Sequence, residues 1–99
     1  MNVTVDQRAV KWLQAQDITE REAFNLKCQQ AVADDLTTWR NVGKGLYDYR
    51  ISGNFRMVAR KSGGKDVKPS DSFAVLAIYR HGTSGGKQWV AGDKVPAYG

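Results

Sequence analysis

The sequence predicts an α+β fold in which an N-terminal helical hairpin packs on a three- to four-stranded antiparallel sheet. Two observations carry this. Apolar residues recur at steps of three and four through most of residues 1–42, and from residue 46 they alternate at period two on both sides of a Gly-Asn turn. Helices first and strands last give two layers, with the helices on one face of the sheet. The 99 residues make one domain, 1–99, mainly helical over 1–42, sheet over 43–91 and a loose tail over 92–99.

The elements follow in order. Met1 to Val5 is β-branched at Val3, Thr4 and Val5. It reads either as an edge strand or as a helix lead-in, with Thr4 and Gln7 at capping-box spacing. Asp6 to Gln16 predicts a first helix, with Ala9, Val10 and Leu13 on one face and Trp12 beside them. Thr19 with Glu22 predicts the start of a second helix. Phe24, Cys28, Ala31, Val32, Leu36 and Trp39 carry it to about residue 39 or 40, with Arg40 at its negative end and Gly43 as the stop.

A hairpin follows over Lys44 to Lys61. Tyr47, Tyr49 and Ile51 alternate with Leu46, Asp48 and Arg50; after Ser52-Gly53-Asn54, Phe55, Met57 and Ala59 alternate with Arg56, Val58 and Arg60. Ser62 to Ser72, rich in Gly, Ser, Lys and Pro, reads as a mobile loop. Its Gly63-Gly64-Lys65 lacks the GxxxxGK[ST] pattern of a phosphate loop. Phe73 to Arg80 is apolar on both faces and predicts a central strand. Lys87 to Ala91 adds a short fourth strand.

Composition narrows the function. Residues 1–42 hold five cations and six anions, whereas residues 43–99 hold ten cations and four anions. A basic second half points to a polyanion or an acidic protein as partner. One Cys and one His argue against a disulfide or a structural zinc site, and no metal or cofactor is implied. Cys28, on the apolar helix face, reads as a small buried hydrophobe; the adjacent Asp34 and Asp35 read as a solvated helix face. No apolar run approaches the ~20 residues that span a bilayer. MNVTVDQRAV also lacks the pattern of a signal peptide. The expected location is the cytoplasm.

The hairpin GLYDYRISGNFRMVAR over Gly45 to Arg60, with LAIYRHG at the end of the third strand, resembles the RelE/ParE toxin superfamily. The resemblance covers residues 1–82. It implies a messenger-RNA endonuclease acting at the ribosome for RelE-like members, or a non-enzymatic gyrase poison for ParE-like ones. By position it implies Arg56, Arg80 and His81 as candidate catalytic groups and Lys44 as a basic residue near the sheet. Arg50, Arg60, Tyr49, Tyr79 and Lys87 complete the candidate substrate-binding set. The implied partners are RNA or the ribosome, with an antitoxin or host target as a protein partner.

The chemistry is consistent. Attack by a ribose 2′-OH needs a base, an acid and cations for the developing charge, which arginines on a rigid strand supply. An imidazole, ordinarily near pKa ~6.5, exchanges protons at neutral pH, and tyrosines stack on bases. Tyr79 and Arg80 are adjacent, so on a regular strand they point to opposite faces; a bend at His81-Gly82 would bring both to one site. Trp12, Trp39 and Phe24 read as core. Trp89, in a Gly-rich stretch, either anchors the tail or contacts a partner. The competing expectation is a non-catalytic inhibitor of the same shape, phage- or plasmid-borne, that blocks a host enzyme or a nucleic-acid-handling complex.

Overall fold

The computed structural model describes residues 1–63, 71–82 and 86–95. The chain order is β1 (Asn2–Val5), α1 (Gln7–Gln14), α2 (Ile18–Val32), β2 (Arg40–Gly43), β3 (Leu46–Ser52), β4 (Phe55–Lys61), β5 (Ser72–His81) and β6 (Lys87–Gly92). Among the described residues the strands form one six-stranded sheet of order β1-β5-β4-β3-β2, with β6 also paired to β5. β1 runs parallel to β5 and the other pairings are antiparallel. Among the described residues no helix is long and apolar enough to cross a membrane.

This corrects the predicted architecture twice. The sheet has six strands and is mixed, because MNVTV becomes a strand and pairs in parallel with Ser72–Val75. The helices do not form a hairpin laid on a smaller antiparallel sheet. The eight-residue α1 packs chiefly against β5 and β6, while α2 packs against β1 and β3. Each helix finds its own part of a wide sheet, so little apolar surface remains for the two to share.

The second helix also stops earlier than its periodicity predicts. After Val32 the backbone turns left-handed at Asp34, with φ of 62°. The Asp35 amide donates to the Gln30 carbonyl at 2.7 Å and the Asp34 amide to the Ala31 carbonyl at 3.0 Å. These two bonds make a Schellman stop. Asp35 then accepts from the Thr37 amide and hydroxyl, which fixes the turn that follows. Leu36 and Trp39 still pack into the core, but from a loop. The buried Lys27 ties α2 to this loop, donating to Gln30 Oε1 and Thr38 Oγ1. At the helix starts, Asp6 caps α1 by accepting from the Arg8 amide. α2 begins at Ile18, so Thr19 lies inside it and not at its cap.

Two apolar clusters flank the sheet. On the helix side Ala9, Leu13, Ala31, Trp39, Met57, Phe73, Val75 and Ile78 are buried together. On the other side Leu46, Val58, Ala77, Tyr79 and Val95 form a smaller cluster, with Leu76 and Trp89 against it. A bulge at Leu76, between the Ala59–Val75 and Val58–Ala77 pairs, shifts the alternation of β5 and lets it feed both clusters. The predicted loop falls largely on 64–70, outside the described residues, and Ser72 belongs to β5. The predicted tail opens with Gly92 still in β6 and continues through Val95, which is buried; 96–99 lie outside the described residues.

Candidate nucleic-acid interface

The helix-free face is where the cations gather, and the register explains how. Leu46 pairs with Arg60, Asp48 with Val58, and Arg50 with Arg56 across β3 and β4. Side chains two apart on a strand share a face, so Leu46, Asp48 and Arg50 lie together, as do Arg60, Val58 and Arg56. Continuing outward, Arg56 pairs with Tyr79 on β5, and Tyr79 with Trp89 on β6. At the opposite edge Arg40 pairs with Asp48.

Asp48 is the centre of this face. It is fully buried, and its carboxylate receives both Nε and Nη2 of Arg40, the former at 3.0 Å. Nη1 of Arg56 stands 3.7 Å from its Oδ1. Burying an isolated carboxylate costs several kcal/mol, and two guanidiniums offset that cost here. The Arg40 side chain remains 59% exposed, so its charge is displayed to solvent while its position is fixed. Its hydrogen bonds to Asp48 raise its pKa further. Burial raises the Tyr79 phenol, and Asp48 adds to the rise against the opposing pull of Arg56 and Arg40. The phenol therefore stays protonated at neutral pH.

The predicted site residues divide on this geometry. Arg50 and Arg56 stand together, with Arg60 farther along the same side of β4. Tyr79 lies between them and β6 but is buried, with the indole of Trp89 5.2 Å away and the Lys87 ammonium 5.8 Å from its ring. His81 is exposed at the end of β5, on the side of Tyr79 by alternation, and pairs with Lys87. Three residues lie elsewhere. Tyr49 faces the helices, beneath the Lys27 ammonium at 4.5 Å and beside Trp39. Arg80 alternates to the helix side, because β5 stays regular through His81 and the bend that would have gathered Tyr79 and Arg80 does not occur. Lys44 occupies the exposed turn between β2 and β3, with φ of 55°, at the far end of β3 from Arg50.

The sequence reading missed Arg40, Asp48 and the place of Trp89. The helical spacing predicts Arg40 at the end of a helix, whereas it opens β2. For Asp48 a signal existed: once the Gly53-Asn54 turn sets the register, Asp48 falls diagonal to Arg56 on the same face.

Beyond this face, Arg8 bridges two carboxylates. It donates to both oxygens of Asp6 and to both oxygens of Asp93, at 2.9 to 3.1 Å. The hydrogen bonds from Arg8 hold the Asp6 carboxyl at about 2 and lower that of Asp93. These residues line a cavity of about 210 Å³ with Arg60, Leu76, Lys94 and Val95. Among the described residues no group of three or more His, Cys, Asp or Glu is placed to hold a metal. Cys28 is half-buried between α2 and β1, and burial pushes its thiol up to about 11, which makes it a poor nucleophile. Comparison with known protein families, with curated proteins and with solved structures gave no match.

Proposed function

We propose that the helix-free face grips the phosphodiester backbone of RNA and that the protein acts as a RelE-like ribonuclease. The observation that carries this reading is the arginine group around Asp48: Arg40 and Arg56 held by one buried carboxylate, with Arg50 directly across the ladder from Arg56. Guanidiniums fixed in this way bind phosphate oxygens with little ordering cost. They also suit the charge that develops when a 2′-OH attacks the adjacent phosphate. His81, at the margin of the same face, is the proton carrier, donating to or accepting from the ribose oxygens. The likeness of residues 45–60 and 79–82 to the RelE/ParE toxins supports the same assignment.

A second reading, a non-catalytic inhibitor that binds through the same face, is favoured by one observation. The chain has a single histidine, and Arg80, the other catalytic candidate beside it, faces the helices. Cleavage assays separate the two. RNA is incubated with and without translating ribosomes, using wild type, Arg56→Ala and His81→Ala. The ribonuclease reading expects cleavage by wild type and loss of about 10²-fold or more in rate for each variant. Binding without cleavage in either setting selects the inhibitor.

A further inference from the structure

We propose that the outer edge of β1 is a homodimer interface, pairing antiparallel with β1 of a second copy about a two-fold axis through Thr4. This goes beyond the RNA-binding reading and does not depend on it.

Among the described residues β1 pairs with β5 alone, so its outer side is a sheet edge. The Asn2 and Asp6 amides donate inward, to the carbonyls of Asp71 and Val75. Main-chain groups alternate from side to side along a strand, so Val3 and Val5 direct theirs outward. Natural proteins blunt such edges with charges, prolines or bulges. β2, at the opposite edge, carries Arg40 and a bulge between Asn41 and Gly43, with Lys44 in the turn beyond. Asn2–Val5 has none of these devices: its register is unbroken, and it holds no charged residue and no proline.

The edge borders an apolar groove of about 470 Å³. Val3 and Val5 line it from β1, and Phe24, Cys28 and Val32 from α2; none of its lining side chains is charged. Val32 is 56% exposed there. The chain carries a net charge of +5, yet residues 1–42 hold five cations and six anions. A second copy can therefore approach this side without repulsion, whereas a polyanion finds nothing to grip. The strand itself selects the occupant, because Val3-Thr4-Val5 reads the same in both directions. Antiparallel pairing about Thr4 sets Val3 against Val5 of the second copy, so the outward amides and carbonyls of both are satisfied. Thr4 then meets its own counterpart, a favourable cross-strand pair. The axis stands perpendicular to the sheet. The valines of each copy lie against the groove of the other on the helix side, and the two cationic faces share the opposite side.

The experiment is sedimentation equilibrium of the full chain over a range of concentrations. Wild type is expected to reach twice the 11.0 kDa of one chain. Thr4 is exposed, so Thr4→Lys should keep the fold, checked by circular dichroism, while setting two like charges face to face at the axis. It should weaken dimerisation at least about tenfold. The register is tested by cross-linking in a Cys28→Ala background with oxidised glutathione. Thr4→Cys should form an intermolecular disulfide, because opposed Cα atoms in a non-hydrogen-bonded pair lie ~4.5 Å apart. Asn2→Cys, which the register places opposite Asp6 of the second copy, should not. Wild type that stays monomeric up to about 1 mM overturns the inference and leaves the edge to a strand of a different protein. Dimerisation of Thr4→Lys equal to wild type overturns it too, as does equal cross-linking of the two cysteine variants.

Discussion

Arg50 and Arg56 stand directly opposite each other across the β3–β4 ladder, two like charges on one face, with the buried Asp48 two residues before Arg50 and diagonal to Arg56. Opposed cations on a ladder are destabilising. Asp48 tempers that repulsion without cancelling it, and a backbone phosphate between the two arginines would complete the neutralisation. For RNA binding, Arg50→Ala and Arg56→Ala should each weaken affinity and reduce the slope of log K against log salt by about 0.7. Arg80→Ala, on the helix side, should leave the slope near that of wild type. A salt titration of all three variants checks this, and an equal loss in Arg80→Ala would remove the assignment of the face.

The two partners of the Arg40–Asp48 pair should not cost the same to remove. Arg40→Ala leaves a fully buried carboxylate with, among the described residues, the 3.7 Å contact to Arg56 as its remaining ion pair, and an underpaired buried charge costs about 3 kcal/mol. Asp48→Asn removes the buried charge and keeps an amide oxygen that can still accept from Arg40, at about 1–2 kcal/mol. Urea denaturation of both variants should place Arg40→Ala below Asp48→Asn. The reverse order would mean that Asp48 is not the charge that needs compensation.

The Arg8 bridge gives a pH signature. Its hydrogen bonds hold Asp6 at about 2, against an ordinary 3.8, and Asp93 is lowered as well. Depressed carboxyls bind protons more weakly in the folded state than in the unfolded one. Their contribution is therefore complete above about pH 4 and is lost as pH falls toward 2. Wild type should lose stability over that window more steeply than Arg8→Ala, measured by urea midpoints at a series of pH values. Parallel curves would show that the bridge contributes nothing.

Gly92 and Gly43 both have positive φ, 75° and 88°, yet should respond differently to alanine. A Cβ at Gly92 would collide with the carbonyl oxygen of Leu76, whereas one at Gly43 meets open space. Gly43→Ala should cost about 1 kcal/mol from backbone strain alone. Gly92→Ala should cost at least about 2 kcal/mol more, lowering Tm by 8 °C or more at roughly 4–8 °C per kcal/mol. Thermal melts of the two variants decide it; equal losses would mean that β6 shifts to accommodate the methyl.

The central hairpin was the most legible part of the fold, because period-two alternation around Gly53-Asn54 is a local signal and sets its own register. The central position of β5 was legible from its apolar run. Two features were hidden for physical reasons. α2 ends at an aspartate in the left-handed conformation that glycine usually supplies, and Leu36 and Trp39 continue the helical spacing from a loop. The parallel pairing of β1 with β5 joins segments far apart in the chain, and nothing in either one names the other. Within the site, Arg50 and Arg56 were readable from register. Arg40 was not, because its face depends on where α2 stops. Tyr49 and Arg80 were misplaced because residue type suggested a role while alternation decided the direction.

The parallel pairing also has a consequence for how the chain matures. Asn2 pairs with Ser72 and Val5 with Val75. β1 therefore leaves the ribosome long before its partner strand exists. At about 5–20 residues per second, it waits several seconds with an unpaired edge. β6 comes later still, and takes the remaining part of the same edge of β5. β1 and β6 then end facing each other beside Leu76, where Arg8 joins Asp6 to Asp93. That guanidinium closes a seam between β1 and β6, so among the described residues the sheet becomes whole only when synthesis has passed residue 93.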